Sequence, residues 1–134
     1  MSRKIARERA FKMLFAIDIG ENTIEEASEI VINFLKDENQ KLFILSEVRG
    51  VLDNLSKIDE LINKYSDDWT VNRMASTDRN ILRLAVYEIL NCQDIPVSVS
   101  INEAVEIAKK YGDEQSYKFI NGLLGSIAKD HSSK

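Results

Sequence analysis

Apolar residues recur at helical spacing along most of the chain, and most densely from Thr77 to Gly112. At about 100° per residue, Ile81, Leu82, Ala85, Val86 and Ile89 share one face of a helix. Leu84, Tyr87 and Leu90 fall outside that arc, so only a narrow strip carrying Arg79 and Arg83 stays polar. A helix apolar around most of its circumference belongs at the centre of a fold rather than on its surface. A second helix follows, with Ile101, Ala104, Val105, Ala108 and Tyr111 opposite Asn102, Glu106, Lys109 and Lys110. Pro96 lies between the two, where a helix should break.

The same period predicts five more helices. The first runs from Ser2, as N-cap, to Ile19, with Gly20 as its stop. Ala6, Ala10, Met13 and Ile17 form its buried stripe, with Leu14 at the edge. The second runs from Ile24 to about Lys36, capped by Asn22 or Thr23, with Ile24, Ala27, Ile30, Val31 and Phe34 apolar. A polar link, 37–40, leads to a third from Lys41 to about Asn54, built on Leu42, Leu45, Val48, Val51 and Leu52. Gly50 within it marks close helix approach. A fourth, Leu55 to Tyr65, takes Ser56 as cap, and Trp69 is expected as a core anchor beyond it. Thr77 should cap the central helix and Ser98 or Ser100 the next. The last, about Gln115 to Lys129, buries Ile120, Leu123, Leu124 and Ile127, with Gly122 and Gly125 open to another backbone. No stretch alternates as a strand does. The expected fold is all-α, with about seven helices and short links.

Composition and charge add detail to this picture. The chain has 134 residues, enough for one domain with a proper core. Only 1 Pro and 5 Gly interrupt it. The net charge of −4 is uneven. Arg3, Lys4, Arg7, Arg9 and Lys12 against Glu8 give +4 over residues 1–12, which leaves −8 for the remainder. A basic arm on an acidic body points to a polyanion, and a solvated helix end is the plainer alternative. On the helical wheel Arg3, Lys4, Arg7, Phe11 and Phe15 share one arc. Cations for phosphates beside rings for bases is the combination that single-stranded nucleic acids require. Phe11 is expected in the core, and Phe15 stands between the core and a ligand-facing role.

Little else suggests chemistry. The single Cys92 excludes an intrachain disulfide, and the single His131 sits in a polar tail. Asp67-Asp68 reads as a helix-ending turn rather than a metal pair. No phosphate loop, metalloprotease motif or nucleophile elbow occurs. No catalysis, cofactor or metal is expected, and no signal peptide or membrane-spanning run is visible. The cytoplasm is the expected compartment.

Several motifs follow one another at set intervals. They are Trp69-x-x-x-Arg73, then Asp78-Arg79-x-Ile81-Leu82-Arg83-Leu84-Ala85-x-Tyr87-Glu88, then Ile95-Pro96. Ser100-Ile101-Asn102-Glu103-Ala104-Val105-Glu106-Ile107-Ala108-Lys109-Lys110-Tyr111-Gly112 follows, and then Ser116-x-Lys118-Phe119-Ile120-Asn121-Gly122-Leu123-Leu124. In order and interval, these motifs resemble those of the NusB family of bacterial transcription antitermination factors, and Ala6-Arg7-Glu8-x-Ala10-x-x-x-Leu14-Phe15 resembles that family's arginine-rich first helix.

The resemblance implies two helical subdomains packed crosswise, about 1–66 and 67–134. It implies binding of boxA RNA in ribosomal RNA transcripts, together with the ribosomal protein NusE. Other Nus factors and RNA polymerase would be reached indirectly. Arg3, Lys4 and Arg7 match the basic motif, shortened here because Ile5 stands where an arginine can occur. Phe15, Ser116, Lys118 and Phe119 match RNA-facing positions. Asp78 matches an acidic position that holds NusE. Arg79, Arg83 and Glu88 are candidates for that partner surface, with salt bridging inside the domain as the alternative for each. Two other readings remain. One is a protein-only scaffold or homodimer; the other is the NusB-like domain of a ribosomal RNA methyltransferase, whose catalytic domain this sequence does not contain.

Overall fold

The computed structural model describes residues 2–67 and 69–131. Those residues form seven α-helices: α1 Arg3–Gly20, α2 Ile24–Val31, α3 Glu38–Asp53, α4 Leu55–Tyr65, α5 Ser76–Asn91, α6 Val97–Tyr111 and α7 Glu114–His131. A single 3₁₀ turn, Val71–Arg73, joins α4 to α5. No strand occurs among them.

The central position expected for α5 is observed. It packs on α1, α3, α4, α6 and α7. Ile81, Leu82, Leu84, Ala85, Val86 and Ile89 are all buried on it, so Leu84 joins the core although it lies off the main arc. One hydrophobic cluster draws on all seven helices. The α7 stripe is buried as expected, through Ile120, Leu123, Leu124 and Ile127, and on α1 Ala6, Ala10 and Met13 are buried together with the edge residue Leu14, while Ile17 is half-buried.

Helix ends account for most departures from the sequence reading. Ser2 caps α1 by accepting from the Ile5 amide. Gly20, however, stays helical, and Glu21 takes the left-handed conformation instead, at φ 54°. Thr23 and Glu26 close a reciprocal capping box on α2. That helix ends at Val31, not Lys36, which buries Ile32 and leaves Ile30 and Phe34 exposed. Asp37 caps α3 by accepting from the Gln40 amide, so the expected polar link is already the first turn, and Leu42 faces solvent. Asn54 rather than Ser56 precedes α4. Neither Thr77 nor Ser100 is a cap: α5 follows Ala75 and α6 follows Pro96, both without a side-chain cap. Asp113 accepts from the Ser116 amide at the start of α7.

Trp69 is not a core anchor. It follows α4 and is 57% exposed. Asp67 has a positive φ of 53°, consistent with a turn, and Asp68 lies outside the described residues. His131 closes the last turn of α7 against α4, its Nε2 2.7 Å from the Tyr65 hydroxyl, which also donates to Asp130. Gly122 and Gly125 face open space rather than another backbone. Gly50 does mark a close approach, to a ring: a Cβ there would overlap Tyr87 of α5. Gly50→Ala should therefore cost about 1–3 kcal/mol of unfolding free energy. A urea titration with an unchanged midpoint would refute that packing.

Candidate nucleic-acid and partner interface

Two long-range ionic clusters fix α1 against α5. At one end, Arg7 Nε donates to both carboxylate oxygens of Glu88, at 2.9 and 3.2 Å. At the other, Asp18 accepts from Arg79 at 2.7 and 2.9 Å, from Asn80 at 2.9 Å and from Arg83 at 3.2 Å. Arg83 also meets Asp59 of α4 with two bonds of 2.9 Å. The two helices thus run antiparallel. Burial pushes the Asp18 carboxyl up, but the hydrogen bonds and charges of these arginines outweigh it and hold the group below its ordinary range.

This geometry revises several expectations. Arg7 is only 6% exposed, and its guanidinium lies 5.4 Å from the Phe43 ring centroid. It holds the fold together instead of presenting a cation to phosphates. Arg79, Arg83 and Glu88 are likewise spent on ion pairs within the domain, with Glu88 fully enclosed. Each therefore takes the salt-bridging role that was its alternative.

Around Glu88 the interior is unusually polar. Ser100 donates to it at 2.8 Å from within α6. The buried Glu47 of α3 stands beside it. Burial first, then the hydrogen bond and negative charge of Glu88, push the Glu47 carboxyl up to about 10, so it remains a neutral donor. Cys92 Sγ lies 3.8 Å from Glu47, and burial and the adjoining carboxyls push its thiol up to about 12. A thiol so protonated is a poor nucleophile.

The remaining candidates are spread along the surface. Arg3 is exposed, donates to Gln40 at 2.7 Å and lies 4.1 Å over the Phe43 ring. Lys4 is exposed, 3.9 Å from Glu106 of α6. Phe11 is buried, as expected, and touches Tyr111 at a centroid distance of 5.3 Å. Phe15 is half-buried, packed on the core and 6.3 Å from Phe11. Lys118 is exposed and paired with Glu114 at 2.8 Å.

At the start of α5, Trp69, Arg73, Met74, Ala75, Asp78 and Phe119 line an open groove of about 420 Å³. Asp78 Oδ1 is buried there without a hydrogen-bond partner. Burial raises the Asp78 carboxyl, and Asp113 raises it further, against a hydrogen bond with Ser116. Asp78, Ser116 and Phe119 thus meet in one groove, and Arg3 and Lys4 do not join them. The two regions sit at opposite ends of α5, separated by roughly 15 Å of helix axis between Asp78 and Glu88.

Known proteins identify what carries this arrangement. The description of the NusB family matches residues 4–129, nearly the whole chain. The chain belongs to the NusB family. The transcription antitermination protein NusB of Pelotomaculum thermopropionicum is 50% identical over 128 residues, covering 95% of this chain and 89% of that protein. NusB of Bacillus subtilis is 44% identical over 130 residues, covering 97% of each. Among solved structures, Thermotoga maritima NusB superposes with a TM-score of 0.92 at 43% identity, over 98% of this chain and 94% of that one. A complex of antitermination factors NusB and NusE with double-stranded RNA matches at 0.88 and 28% identity, over 96% of each chain. The NusB fold accounts for the seven helices described above.

The sequence placed Trp69 in the core and so missed its exposure. It also missed the aromatic and cationic residues at the end of α6. There Lys110 binds both Glu8 oxygens at 2.9 and 3.1 Å. Lys109 lies 5.3 Å over the Tyr117 ring. Lys109-Lys110-Tyr111 was visible as a motif, but nothing local showed that it would lie between α1 and α7.

Proposed function

We propose that this protein is a non-catalytic, cytoplasmic antitermination factor. It binds boxA RNA of ribosomal RNA transcripts together with NusE, and through NusE and other Nus factors acts on RNA polymerase. The observation that carries this reading is the near-complete match to a NusB chain described in complex with NusE and RNA. The surface supports it. Phe119 and Lys118 offer a ring and a cation to RNA, and Arg3 and Lys4 offer further cations. The groove at Asp78, lined also by Trp69, Met74 and Ala75, combines an acidic residue with apolar surface, which suits a basic protein partner.

The test is a fluorescence-polarisation titration of boxA RNA against a scrambled RNA of equal length, with and without NusE, at two salt concentrations. BoxA should bind more tightly than the scrambled strand, more tightly still with NusE, and more weakly at high salt. Phe119→Ala should lose about 1–3 kcal/mol of RNA affinity, the worth of one stacked base. Asp78→Ala should weaken the gain from NusE and leave RNA binding alone unchanged. Equal affinity for both RNAs, with no gain from NusE, would overturn the reading.

A further inference from the structure

We propose that the last turn of α6 is a third phosphate-binding segment, which carries a single RNA strand from Lys4 on α1 to Lys118 and Phe119 on α7. This rests on the RNA-binding reading above, and names the path that joins its two separated ends.

The connection is built of touching groups. Glu106 of α6 stands 3.9 Å from Lys4 and 3.5 Å from Lys109. Lys109 in turn lies over the Tyr117 ring, whose sequence neighbour is Lys118. A parallel row runs beside it. Glu8 binds Lys110 at 2.9 Å and Lys12 at 4.0 Å, and both ammonium groups approach the Tyr111 ring, at 5.5 and 5.7 Å. Tyr111 is anchored from below by the buried Phe11. Gly112 ends α6, and the Asp113 cap starts α7 at once, which holds the two lysines against the first turns of α7.

Lys109 and Lys110 have more than half of their side-chain surface exposed. A compact ammonium on a flexible stem suits a phosphate contact as a point charge. Successive cations flanked by half-exposed tyrosines match the needs of a single strand, with charge for its backbone and rings for its bases. Glu8 and Glu106 neutralise these lysines when no RNA is bound. A strand must displace those carboxylates, so they restrain affinity.

The experiment compares three forms of the full chain in the same boxA titration, with NusE present, over several salt concentrations. The double variant Lys109→Ala/Lys110→Ala should flatten the plot of log affinity against log salt by about 1.4, two contacts at 0.7 each. Its affinity at 0.1 M salt should fall on the order of ten- to thirtyfold. Glu106→Gln should act oppositely and tighten binding roughly two- to fivefold, a gain that misfolding cannot produce. If wild type prefers boxA and loses affinity with Phe119→Ala, while the lysine variant keeps the wild-type slope and Glu106→Gln changes nothing, the α6 path is wrong and the RNA reading stands. If wild type shows no preference for boxA, both fall together.

Discussion

Arg7→Ala is expected to lower the unfolding free energy by about 3–5 kcal/mol, the cost of leaving one member of a buried ion pair uncompensated. Arg7 and Glu88 are both buried and joined by two hydrogen bonds. Without the guanidinium, Glu88 loses its paired cation and both of those hydrogen bonds, while Ser100 still donates to a charge removed from water. A domain of this size is stable by about 5–15 kcal/mol, so the loss is a large share of the total. Chemical denaturation at pH 7 measures it directly. Arg7→Ala combined with Glu88→Leu should recover much of the loss, since the orphaned charge goes too. A deficit below 1 kcal/mol in the single variant would show that the pair is not the clamp described. Under conditions where Arg7→Ala remains folded, its affinity for RNA should be near wild type, because the side chain never reaches the surface.

Glu47→Gln is expected to stabilise the protein at neutral pH. Glu47 rises in the fold from an ordinary value of 4.5 to about 10, first through burial and then through Glu88. Between those limits the native state holds a proton that the unfolded chain releases. Stability then falls as pH rises, by about 1.4 kcal/mol per unit. The favourable contribution is complete below pH 4.5 and has been lost progressively by pH 10. Glutamine keeps a donor toward Glu88 and carries no proton to lose. Its advantage over wild type should be on the order of a few kcal/mol at pH 7 and larger at pH 9, and should vanish near pH 4.5. Unfolding free energies measured across that range should diverge with pH. Parallel curves for the two proteins would mean that Glu47 is not held neutral.

Several features were legible because they depend on local periodicity. The burial of Ile81, Leu82, Val86 and Ile89 follows from a 3.6-residue repeat, and so does that of Ile120, Leu123, Leu124 and Ile127. Other readings failed where a local rule met a tertiary alternative. Ser100 has a capping side chain, but its hydroxyl is used by Glu88, and α6 begins earlier, after Pro96. Phe34 continues the α2 stripe on paper, yet the helix stops at Val31 and Ile32 takes the buried place. Trp69 has the largest apolar side chain in the sequence and still stays exposed, at the rim of the groove it shares with Phe119. For the candidate site, type and position could be read at Lys4, Asp78, Lys118 and Phe119. The grouping of Asp78 with Ser116 and Phe119 could not, since it needs α5 and α7 side by side.

By itself, the sequence determined that the chain is helical, which stripes are apolar, and, through the order of its motifs, that it belongs with NusB. Only the tertiary structure decided which charges face water. Arg7 and Lys4 lie one turn apart on the same helix, and a wheel puts them on the same face. One is buried against a carboxylate 81 residues away, and the other is open to solvent. A helical wheel gives the angle of a side chain about its own axis. What covers that angle is set by distant elements packing together, and that contact separates a structural ion pair from a cation free to meet phosphate.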